Sequence, residues 1–250
     1  MKRVWKKTLL KGAILAFWLL VWEIAAVCIA KPVVLVGPWA VLQTLWHLAG
    51  TSAFWRSVVG SVGRICLGFT LAFLTGVCLG GVSYKLSWVR ALFAPVVAVM
   101  KAIPVASFVI LILIWTGSRG LACAIAFLVA FPAIYLHTIA GLSGVDRQLL
   151  EMAQVFRLGF FRRLWYIYRP PLLLQLAGAC RVALGMSWKA GIAAEVIGTP
   201  THSIGENLYL AKVFFSTGEL LAWTLVIIVL SSVLEKCVML LLRWLGRDGV

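Results

Sequence analysis

Acidic residues are scarce in this chain. Its 250 residues include 8 Asp+Glu and 3 His against 23 Lys+Arg, and charged residues of both signs make up only 12%. A soluble domain carries about a quarter charged residues, so no ordinary water-facing surface can be built from this composition. The histidines His47, His137 and His202 stand far apart, with no carboxylate or nucleophile at a useful spacing. That leaves no catalytic constellation and no metal set. Cys28, Cys66, Cys78, Cys123, Cys180 and Cys237 form no CxxC pair and neighbour no histidine. They read as small apolar filler in helices, not as disulfides or ligands. A GxxxxGK[ST] phosphate loop is missing, so no nucleotide site of that kind is encoded. The net charge of +15 does not imply nucleic acid, because no basic helix stands free of the apolar runs.

What is present is long apolar sequence. Hydrophobic residues make up 63% and the mean hydropathy is +1.03, which defines an all-α integral membrane protein. About 20 apolar residues cross a bilayer core, and six candidate spans follow: 12–30, 65–84, 104–117, 120–145, 174–196 and 220–241. The first span follows Lys2, Arg3, Lys6, Lys7 and Lys11, contains Glu23 and lacks a small-x-small cleavage site. It reads as an uncleaved helix with a cytosolic N-terminus. Residues 31–63, rich in tryptophan and with a lone His47, suit an external loop holding an interfacial helix. The third span is preceded by a helical segment broken at Pro95 and Pro104, and His137 in the fourth reads as hydrogen-bonded packing.

Six spans place both termini on one side, and the basic residues say which. Lys85, Arg90, Arg147, Arg157, Arg162, Arg163 and Arg169 fall with the basic N-terminus on the cytosolic side, joined by Lys236, Arg243 and Arg247. Only Lys31, Arg56, Arg119 and Lys212 fall opposite, while Arg64, Lys101, Arg181 and Lys189 have ambiguous depth. The asymmetry orients the chain with both ends inside.

Two small-residue rows predict close helix contacts. Gly68, Ala72, Gly76 and Gly80 recur every fourth residue, as do Ala179, Ala183, Ser187, Gly191 and Glu195. The fifth span is unusual in carrying Arg181, Lys189 and Glu195. Ionisable groups at membrane depth face protein or water and often mark a pathway. Two readings stay open. Trp188, Lys189 or Glu195 lines a translocation path for an anionic or zwitterionic solute; alternatively Lys189 pairs with an acidic group on a neighbouring helix and Glu195 sits among the outer headgroups. Lys189 and Glu195 project about 120° apart on a regular helix, so they do not pair with each other.

Between the fourth and fifth spans lies a polar insert, with EMAQVFRLGFFRRLWYIYRP over Glu151 to Pro170. Helix formers open it, Gly159 permits a turn, a basic-aromatic part follows, and Pro170-Pro171 closes it. Two short helices along the cytosolic face are expected. This insert resembles the EAA loop of bacterial ABC importer permeases, a glutamate-alanine-alanine start, a glycine, then I-x-L-P. Glu151, Ala153, Ile167 and Pro170 match that pattern in spacing. Met152 replaces the first alanine, Arg169 the leucine, and Arg157 occupies the usual glycine position, with Gly159 two residues later. SVGRICLGFTLAFLTGVCLG, KAIPVASFVILILIWTG and RVALGMSWKAGIAAEVIG are similar, in the same order, to spans of the nitrate, sulfonate and taurine branch.

The resemblance implies a type I ABC importer permease fold with three regions: a basic tail and first helix (1–37), a transmembrane core (38–242) with the loop at 151–170, and a short cytosolic tail (243–250). It implies a non-catalytic subunit in the bacterial cytoplasmic membrane, commonly a homodimer. Its partners would be an ATPase subunit that binds the ATP, an extracytoplasmic solute-binding protein and lipid. Glu151, Ala153, Arg157, Gly159, Ile167 and Pro170 would belong to the ATPase-coupling contact. The competing reading is an ion-coupled secondary transporter, with Lys189 and Glu195 handling protons or ions.

Overall fold

The computed structural model describes residues 2–246. Residues 247–250 of the expected C-terminal tail, Arg247 among them, lie outside this range. The described residues are helical apart from short connections, without a strand. The helices are α1 (Lys2–Ile29), α2 (Pro38–Ala49), α3 (Ser52–Lys85), α4 (Ser87–Ala102), α5 (Val105–Ser143), α6 (Arg147–Val155), α7 (Phe160–Arg163), α8 (Arg169–Gly198), α9 (Ile204–Val213) and α10 (Thr217–Gly246). Four of them carry segments long and apolar enough to cross a membrane: Gly12–Ile29, Ser52–Lys85, Val105–Ser143 and Thr217–Leu242. α8 has comparable length, 30 residues, and is interrupted by Arg181, Lys189 and Glu195.

α3 starts thirteen residues before the span expected at 65–84. Thr51 caps it, accepting a hydrogen bond from the Phe54 amide at 3.3 Å, and so satisfies one of the amides that a helix start leaves without a partner. The expected external loop therefore shrinks to α2 and a tight turn, and Arg56 and Arg64 become helical residues.

α5 is not one rod. A straight helix would hold Val105 and Val129 about 36 Å apart at 1.5 Å per residue. Yet both line one cavity with Met100 and Phe108. The chain reverses at Gly117, whose φ of 67° and ψ of 176° suit glycine alone. Segment 105–116 thus lies back along 118–129, with Val109, Ile112, Leu121 and Ile125 in one apolar cluster. α4 continues the same line, since Phe93 meets Tyr135 at a centroid distance of 6.4 Å.

The core is built by α3, α5 and α8, and the small-residue rows explain how closely they approach. A Cβ at Gly68 would strike the Cys123 carbonyl, at Gly76 the Ile134 side chain, and at Gly80 the Thr138 side chain. On α8, Ala179, Ala183, Ser187 and Glu195 are all buried, and Gly191 sits against Ile65 of α3. Between α5 and α8, Gly141 meets Leu172, and the Ser187 hydroxyl donates to the Ala126 carbonyl at 3.1 Å. By contrast α1 stands apart, held to the linker before α2 through the Trp22 indole, which donates to the Val36 carbonyl at 3.1 Å.

Candidate functional site

The insert forms a compact turn. Asp146 caps α6, its carboxylate accepting from the Gln148 amide at 2.9 Å. Glu151 is exposed and pairs along the helix with Arg147 at 3.2 Å, while Ala153 on the opposite face is buried. The helix then ends through paired backbone bonds, Leu158 N–H to the Ala153 carbonyl at 2.9 Å and Arg157 N–H to the Gln154 carbonyl at 3.0 Å. This six-to-one and five-to-two pairing requires a left-handed residue at the penultimate position. Arg157 supplies it, with φ of 49°. Gly159 is extended, φ −63° and ψ 158°, a conformation open to any residue. The expectation that Gly159 makes the turn is therefore corrected: the reversal lies at Arg157.

Pro170 and Pro171 do not stop the chain either. Helix runs without interruption from Phe160 through a π-helical turn at Leu164–Tyr168 into α8. Prolines lack the amides that would bond four residues back, and the wider turn, closed by Arg169 N–H on the Leu164 carbonyl, accommodates them at the start of α8. Ile167 in that turn is buried, Pro170 is exposed, and the Arg169 guanidinium lies 3.8 Å from the Trp165 ring centroid. Val155, Phe156, Phe160 and Phe161 project outward, all more than 70% exposed.

The far end of α8 is the reverse. Glu195 is fully buried. It accepts from the Ser61 hydroxyl, from the Arg64 guanidinium at 2.9 Å and from the Gly205 amide at 3.3 Å. Ser61 in turn accepts from the Ile204 amide at 2.8 Å, Arg64 donates to the His202 carbonyl at 3.1 Å, and Asn207 donates to Ser57 at 3.0 Å. One carboxylate thus ties α3, α8 and the start of α9 together. The connecting loop carries two left-handed non-glycine residues, Thr199 at φ 41° and His202 at φ 55°. Such conformations persist where the surroundings over-determine them.

The remaining groups on α8 separate by face. Trp188 is buried and its indole donates to the Ile227 carbonyl at 3.1 Å. Arg181 pairs with Glu235 of α10 at 2.7 Å. Lys189 is exposed and has no ion-pair partner among the described residues. His137 meets Gln175 at 3.3 Å. Of the three residues considered for a path, only Lys189 faces open space in the single chain.

Residues 66–248 match the family described as the binding-protein-dependent transport system inner membrane component. The chain belongs to this family. The permease is 26% identical over 230 residues to the taurine transport system permease protein TauC of Escherichia coli, covering 90% of this chain and 82% of that one. It is 27% identical to the riboflavin transport system permease protein RibX of Chloroflexus aurantiacus, covering 84% and 80%. It is 28% identical to the aliphatic sulfonates transport permease protein SsuC of Escherichia coli, covering 90% and 87%. It is thus a multi-pass membrane component of an ABC importer, a non-catalytic one.

Sequence reasoning left the Glu195 lock of this permease unread. The signal was available: Arg64 at the edge of the second span and Glu195 in the fifth are opposite charges, and each needs a partner near the membrane.

Proposed function

We propose that this permease forms the translocation path of an ATP-driven importer for a small anion, a sulfonate, nitrate or similar solute, and takes its power from a separate ATPase subunit. The observation that carries the coupling role is the α6 turn. It presents an exposed Glu151 and apolar side chains at Val155 and Phe156, and it is held between α5 and α8, the two helices at the centre of the core. A push on α6 then reaches both helices as a rigid-body movement. ATP is bound by the partner, and a solute-binding protein delivers the cargo on the other side.

In this reading the chain crosses the membrane six times: α1, α3, the broken pair of α4 with 105–116, 118–143, α8 and α10. Both termini are cytosolic, in line with the basic residues on that side. The broken pair together spans 87–116, about 45 Å of helix, which is enough for one crossing. Residues 38–242 form the transporting core, with 1–37 and 243–250 as flanking regions, and two copies face each other in lipid. Glu151 is assigned a direct polar contact with the ATPase. Ala153, Arg157, Gly159, Ile167 and Pro170 shape the loop that makes it. Lys189 is the path residue on α8, whereas Trp188 and Glu195 hold the helix from behind.

Reconstitution in liposomes tests this. The permease with its ATPase and binding protein should accumulate labelled taurine or another small anion only when ATP is supplied. Uptake by the permease alone, driven by an ion gradient and indifferent to ATP, would instead establish the secondary-transporter reading.

A further inference from the structure

The relatives do not fix the solute, since sulfonate and riboflavin permeases both match this chain. The charge count within the crossing segments does more. Two carboxylates lie within these helices, Glu195 and Glu235, and each is already held by an arginine, Arg64 and Arg181. Glu23 lies near the outer end of α1 against Gly37. Asp146 and Glu151 belong to the insert, and Glu206 and Glu219 to the first turns of α9 and α10. Of the cations in these segments without an ion-pair partner among the described residues, Arg56, Lys85, Arg90 and Arg119 lie within about a turn of a segment end and Lys236 follows Glu235 directly, which leaves Lys101 and Lys189, both exposed. A second copy of the chain brings the same two arginine-held carboxylates and two more lysines, so dimer formation does not neutralise them.

Their depth makes this surplus meaningful. Lys101 sits midway along 87–116, at the end of α4 and beside the break at Ile103-Pro104. Lys189 lies nine residues before the end of α8. Helical side chains lean toward the N-terminus, which for α8 is the insert end, so Lys189 leans toward the membrane centre and away from the nearer headgroups. α8 runs antiparallel to 118–143, as Leu172 meets Gly141, Ser187 meets Ala126 and Gly198 meets Leu121. Segment 105–116 therefore runs alongside α8 in the same direction, with Leu113 near Gly198. That register brings Lys189 level with the Ile103-Pro104 break, about one turn beyond Lys101. Irregular backbone at this depth belongs against protein or a water-filled cavity, and an unpaired ammonium belongs there for the same reason.

We propose that Lys101 and Lys189 are the solute-engaging cations of the path and select a small anion. This rests on the importer reading, and the experiment separates the two. Ala193 is exposed one turn beyond Lys189 on the same face of α8. The full chain with Ala193→Cys, assembled with its ATPase in vesicles, is treated with an anionic sulfonatoethyl or a cationic trimethylammonioethyl methanethiosulfonate. Labelling is read from the mass of the peptide carrying residue 193, with native cysteines left in place. Each rate is normalised to the reagent's rate with free cysteine in solution.

The anionic reagent should be favoured by about tenfold, the size expected of a cleft lined by one sign of charge. Lys189→Gln and Lys101→Gln should each lower that preference several-fold, and Lys189→Arg should keep it. A preference near one, unmoved by either glutamine, overturns the anion proposal while labelling itself leaves the path standing. Absence of labelling by both reagents, from either side and with ATP present or absent, overturns the path as well. Should the Ala193→Cys chain not assemble, Lys189→Cys gives the same readout for Lys101 alone.

Discussion

The two ends of α8 are built to opposite rules. At the end away from the insert a fully buried carboxylate has every neighbour it needs within the chain, from Ser61, Arg64 and Gly205. At the insert end a short helix holds its carboxylate in the open, offers Val155 and Phe156 outward, and turns on a left-handed arginine. The difference teaches where each end finds its partner. The Glu195 lock is complete without another molecule, so its energy goes into fixing α3, α8 and α9 together. The insert is complete only in its backbone bonding, and its side chains are left for something else to meet.

Stability measurements should divide along the same line. Glu195→Leu leaves Arg64 without its counter-charge and the Gly205 amide without an acceptor, and should cost about 3–5 kcal/mol, read as a lowered melting temperature of the purified protein. A change below about 0.5 kcal/mol, typical of an unremarkable surface site, would remove the lock from this account. Gly68→Val pushes a side chain into the Cys123 carbonyl on α5 and should cost about 1–3 kcal/mol in the same assay. Arg157→Gly should raise stability by about 1 kcal/mol by relieving a left-handed side chain, with Gly159→Ala near neutral. Equal gains and losses at the two positions would return the turn to Gly159. Glu151→Gln should shift stability by less than about 0.5 kcal/mol, since its ion pair is exposed. Yet ATP-driven uptake should fall at least about tenfold, the opposite of what a surface anchor would give.

Much of this arrangement was legible in the sequence because it depends on periodicity. The Gly68 to Gly80 row and the Ala179 to Glu195 row both announce a close approach, and both faces are packed. What was not legible depends on pairing across distance or on a single dihedral angle. Arg64 and Glu195 are separated by 131 residues, and local pattern assigns neither a partner. Gly117 looks like any glycine among small residues until its φ reverses the chain. Pro170-Pro171 reads as a stop because a helix interior rejects proline, but the π turn before it removes the conflict. At the insert, the turn was expected at Gly159, and it lies instead at Arg157 because two backbone bonds hold that residue in the left-handed region.

The central claim is that the insert, and not the opposite end of α8, is where the permease meets its ATPase. A photo-crosslinking amino acid placed at Val155, with Phe214 on the loop after α9 as the control, tests it in the assembled importer. Both positions are exposed, at 79% and 75%, so accessibility alone does not distinguish them. The account predicts a crosslink to the ATPase subunit from residue 155 and none from residue 214. An assembled, ATP-hydrolysing complex that gives no ATPase crosslink from residue 155 would contradict it.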